Sequence, residues 1–150
     1  MRTTVAFVSD TVPDPDVTAR LLRGRLADGP LELPVSGSSM RGVIESGAIV
    51  DLSAADEPRV GEIWAFVDDD GNLVVHRIRH VAPDQVVGRG SGNIRDDAPV
   101  RRHRLVGRVR TATTEHGPRT FGEGDRRRAA VAFRLRELAR SVRNRLRPAR

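Results

Sequence analysis

Leu73-Val74-Val75-His76-Arg77-Ile78-Arg79-His80-Val81, entered through Asp68-Asp69-Asp70-Gly71-Asn72, decides the fold class of this 150-residue chain. The run is short and dominated by β-branched residues, which reads as a strand. The acidic segment before it reads as a hairpin turn, with Gly71 free to take a positive φ. Alternation groups Val74, His76, Ile78 and His80 on one face and turns Arg77 and Arg79 to the other. Working outward, similar runs predict strands near 31–36, 48–53, 61–67, 84–89 and 105–110.

Helical patterns flank this block. Asp14 can cap a helix over 14–28, Pro15 suits its first turn, and Val17, Leu21, Leu22 and Leu26 form an apolar side before Gly29-Pro30 stops it. Residues 111–125, rich in Thr, Gly, Pro and charge, read as a linker. Beyond them Val131, Leu135, Leu138, Val142 and Leu146 recur at helical spacing among arginines. The fold class is therefore mainly β. A 1–30 N-terminal helical segment precedes a 31–110 β domain, then the linker and a basic amphipathic helix over 126–150.

With 31% charged residues and few aromatics, the chain reads as soluble. It has no Cys, which excludes disulfides, a thiol nucleophile and thiolate metal sites. No apolar run is long enough for a membrane span or a secretory signal, so the expected location is the cytoplasm. The net charge of +6 is uneven: residues 126–150 carry ten Arg against one Glu, leaving the rest at −3. A body without basic excess argues against a specific nucleic-acid partner. The tail reads either as a terminal helix packed on the domain or, favoured by its dense positive charge, as a peripheral helix on an anionic membrane surface. An acidic protein or a nucleic acid would attract the same charge.

Chemistry is suggested by Val35-Ser36-Gly37-Ser38-Ser39-Met40, where an extended run meets a turn. Such a junction exposes a side chain and offers backbone N–H groups to negative charge. Read alone, the serines are ordinary capping residues and His76 is a core histidine. Burial also disfavours a charged imidazole, and a general base must be neutral. His80 lies four residues on, but about 13 Å away along a strand, too far to share a metal ion with His76. No metal or cofactor is expected.

Taken together, Gly37-Ser38-Ser39-Met40, the strand delivering His76-Arg77, the segment Gly88-Arg89-Gly90-Ser91-Gly92-Asn93-Ile94-Arg95-Asp96-Asp97 and Leu105-Val106-Gly107-Arg108-Val109 resemble the signal peptidase I and LexA-type serine peptidase superfamily. The resemblance covers roughly residues 31–110. Many members use a lysine base, but all 26 basic residues here are arginines, whose pKa is too high for that role. The similarity is thus to the histidine-dependent branch. It implies a serine endopeptidase acting on a peptide or protein precursor, with Ser39 as nucleophile, His76 as base and Asp97 as orienting acid, Asp96 being the neighbouring alternative. It further implies oxyanion and substrate contacts from Gly37, Ser38, Met40, Val74 and Val75. The pattern departs from the family at Met40-Arg41-Gly42, which lacks the usual Pro, at Gly47-Ala48 and Gly61-Glu62, and at Gly90-Ser91-Gly92-Asn93. Those turns, together with no anchor ahead of the serine beyond the 14–28 helix, leave a catalytically silent peptide-binding module as the alternative.

Overall fold

The computed structural model describes Thr4–Val5 and residues 14–145. Leu146 of the expected helical stripe lies outside the described residues. In chain order the elements are β1 (Thr4–Val5), α1 (Pro15–Ala27), β2 (Leu31–Pro34), β3 (Ile49–Ser53), β4 (Ile63–Val67), β5 (Leu73–Val81), β6 (Gln85–Arg89), β7 (Val100–Arg101), β8 (Leu105–Thr114), β9 (Gly117–Thr120) and α2 (Glu123–Arg145). A 3-10 turn, Arg102–Arg104, precedes β8. The fold is mainly β: one antiparallel sheet in the order β2-β3-β8-β4-β5-β6-β7, with β1 added to β5 and β9 to β8.

β4 is buried along its whole length, and its alternation divides the interior in two. Ile63, Ala65 and Val67 join Leu73 and Val75 of β5 in one core; Trp64 and Phe66 join Val74 and Ile78 in the other. The β4–β5 turn closes as the sequence implies, with Asp68 N–H donating to Asn72 O at 2.9 Å and Gly71 at φ 81°.

Three expectations need correction. The 111–125 linker is mostly strand: β8 runs on to Thr114 and pairs with β9, and α2 starts at Glu123. Buried Ala112 and Phe121 and the positive φ of Gly117 account for this hairpin. Asp14 caps α1 as expected, accepting from the N–H groups of Asp16 and Val17. The inward face of α1 is rotated, however: Thr18, Ala19 and Leu26 are buried, while Val17 and Leu21 are exposed. Finally, a register shift between Ile78 and His80 ends the expected alternation. His80 stands exposed near Asp96 and Glu137 and not beside His76.

Candidate active site

The chain leaves β2, bends at Gly37 (φ 94°) and closes one helical turn in which Met40 O accepts from Val43 and Ile44 N–H at 2.9 and 2.8 Å. Val35, Met40 and Ile44 are fully buried and anchor both ends of this turn. Ser39 is thereby held over the middle of β5. There His76, opposite Trp64 of β4, is 0% exposed and lies edge-on to Phe66 at 6.1 Å.

Three side chains meet in a line. His76 Nε2 is 2.9 Å from Ser39 Oγ, and His76 Nδ1 is 2.6 Å from Asp97 Oδ2. A carboxylate can only accept, so the ring proton belongs on Nδ1, leaving Nε2 to accept from the serine hydroxyl. Asp97 is fixed by its own N–H, which donates to Gly88 O at 2.9 Å. Asp96 serves a different cluster: Arg79 Nε at 3.4 Å and Arg89 Nη1 at 3.6 Å. Burial, reinforced by the like charge of Arg79, lowers the pKa of the Arg89 guanidinium, and Asp96 opposes that shift.

The exit of β6 brings three glycines against these residues, a role the sequence reading missed. A Cβ on Gly88 would stand 3.0 Å from Asp97 Oδ2; one on Gly90 would stand 2.4 Å from Ser39 O. A Cβ on Gly92 would be 2.9 Å from Ser38 O, and Gly92 N–H donates to Ser39 O at 2.7 Å. The signal was present in the sequence. Glycines at every second position of an extended run mark one face lying against another backbone.

The remaining expected contacts divide. Gly37 N–H donates to Ser46 Oγ at 3.3 Å. Met40 is buried in the core, where it anchors the turn. Val75 points into that same core, so only its backbone could meet a ligand. Ser38 is half-buried beside Ser39. Val74 lines a cavity of about 250 Å³ together with Phe66, His76, Asp97, Pro99 and the Asp68–Asp70 turn.

β5 keeps β4 on one edge along Leu73–Arg77, while β6 takes the other edge only from Arg77 onward. On that second edge β1 pairs antiparallel with Leu73 and Val74, next to His76. Ser39 itself is 1% exposed. Among the described residues no three His, Asp or Glu side chains gather as metal ligands. Neither the protein-family models, the curated proteins nor the solved structures contain a match to this chain.

Proposed function

We propose that the chain is a serine endopeptidase that cleaves a peptide or protein precursor through an acyl-enzyme. The observation carrying this reading is the continuous Ser39–His76–Asp97 hydrogen-bonded line. Its motifs also resemble those of the histidine-dependent signal peptidases, which supports the same assignment. Ser39 Oγ attacks the scissile carbonyl as His76 Nε2 takes its proton, and Asp97 stabilises the imidazolium. The Ser39 N–H is the oxyanion donor in this reading. His76 then protonates the leaving amine, and a water repeats the sequence to release the acid. Substrate would add as an extended strand to the edge of β5, the mode β1 already uses there.

The test is digestion of a diverse peptide library by the full chain, read by mass spectrometry, beside Ser39→Ala and Asp97→Asn. Cleavage at a recurring sequence that disappears in Ser39→Ala is expected. Equal cleavage by Ser39→Ala, or none by the wild type, would sink the proposal. The near-complete burial of Ser39 and His76 favours the second reading, a silent peptide-binding module. It predicts the same library peptides bound by calorimetry and left intact.

A further inference from the structure

We propose that α2 holds the protein on an anionic lipid surface, lying in the plane of the interface with its outer stripe inserted. This goes beyond the peptidase reading and stands independently of it. The helix has two faces with different occupants. One face meets the sheet: Asp125 pairs with Arg77 at 2.7 Å, Arg126 Nη1 donates to Val60 O, Phe133 lies under the Arg79 guanidinium at 4.3 Å, and Glu137 reaches Arg79 at 3.3 Å. At roughly 100° per residue, the opposite face carries Val131, Leu135, Leu138 and Val142 within a narrow arc. These four are 56, 61, 62 and 54% exposed, and no residue of α2 is buried.

An aligned row of large aliphatic side chains in water is unfavourable and marks an interaction surface. Its surroundings select the occupant. Arg127, Arg134 and Arg145 lie along one flank of the row and Arg128 along the other, all exposed. From such positions the alkyl stems can lie on the acyl boundary while the guanidinium groups reach lipid phosphates. Residues 126–150 hold ten Arg against one Glu, so a second copy of this helix would be repelled. A nucleic acid would accept the charge and leave the aliphatic row wet. An anionic bilayer takes both. No helix among the described residues is long and apolar enough to cross a membrane, which fits a helix lying on the surface. Because Arg77 and Arg79 sit on β5, the anchoring helix is tied to the strand that carries His76.

The experiment is flotation of the full chain with vesicles of phosphatidylglycerol and phosphatidylcholine, and with phosphatidylcholine alone. Leu135→Glu/Leu138→Glu is run in parallel, with its melting temperature checked. Both sites are exposed, so the fold should survive. Binding to the anionic vesicles alone, weakened by salt and reduced about tenfold or more in the double variant, is expected. Three results would overturn the proposal. One is no flotation with anionic vesicles at low salt. Another is equal flotation of the folded double variant, which would leave the stripe with no role. The third is a lipid-free dimer, seen by light scattering, that the double variant abolishes; this would assign the stripe to a second copy.

Discussion

Asp96 and Asp97 are adjacent in the chain and serve opposite faces of the sheet. Asp97 orients the His76 ring, while Asp96 neutralises buried Arg79 and Arg89. Asp97→Asn should therefore lower kcat on a cleaved peptide by about 10³–10⁴ with little change in melting temperature, because the amide can favour the wrong imidazole tautomer. Asp96→Asn should do the reverse, costing about 1–3 kcal/mol of stability while kcat stays near wild type. Equal kcat losses in the two would contradict the assignment. Gly90→Ala tests the packing behind Ser39. Its Cβ would be 2.4 Å from Ser39 O, so the serine turn must shift, and displacement of that order can cost about 100-fold in kcat. A variant that keeps full activity would show that the β6 exit does not set the position of Ser39. Ser39 and His76 could be singled out from sequence, since motif order and strand alternation both point to them. The choice between two adjacent aspartates could not, because it depends on the path of the loop between β6 and β7, which has no periodicity.

The same limit explains what was missed among the elements. β1 spans two residues and pairs only with Leu73 and Val74, too short for any alternation to reveal it. The 111–125 stretch reads as a linker because Gly117 and Pro118 punctuate it, although its β-branched Thr111 and Thr113 alternate with buried Ala112 as a strand would. The apolar run of β4 and the Leu73–Val75 start of β5 were legible because they are buried on both sides. β1 has a consequence for turnover. A substrate strand that docks beside His76 must displace it, so Thr4→Pro/Val5→Pro, which removes whichever of the two N–H groups faces β5 in the alternating ladder, should raise kcat/KM for extended peptides. Releasing one or two backbone hydrogen bonds corresponds to about 1–2 kcal/mol, or roughly 5- to 30-fold. Steady-state kinetics on one cleaved peptide decides it. An unchanged or lower kcat/KM would mean that substrate approaches along another path.

For the whole molecule, a relay that begins at Glu62 adds to the direct Arg77–Asp125 and Arg79–Glu137 pairs joining the sheet to α2. Glu62, only 6% exposed, accepts from Trp64 Nε1, Arg59 N–H, Arg59 Nε and Arg108 Nη1 at 2.9–3.1 Å. Arg59 then reaches Glu123 in the first turn of α2, where Arg126 and Arg127 also bind it. Burial alone would raise the Glu62 pKa, but the hydrogen bonds from Trp64, Arg59 and Arg108 outweigh it and the value falls below the ordinary range. Hydrogen bonds from Arg126, then Arg127, hold Glu123 at about 2. Both groups thus have folded values below the unfolded carboxyl value of about 4.3. Their contribution is fully present above that value and is lost as the pH falls toward the folded ones. The melting temperature should accordingly be flat from about pH 7 to 5 and fall steeply between about pH 4.5 and 2. Glu62→Gln should lower stability at neutral pH by about 2 kcal/mol, since the amide cannot satisfy four donors. It should also make the acid limb shallower, because one of the two titrating links is gone. An acid limb equally steep in Glu62→Gln would show that other carboxylates govern acid unfolding. The link between β4, β8 and α2 would then be structural without being the point at which acid opens the fold.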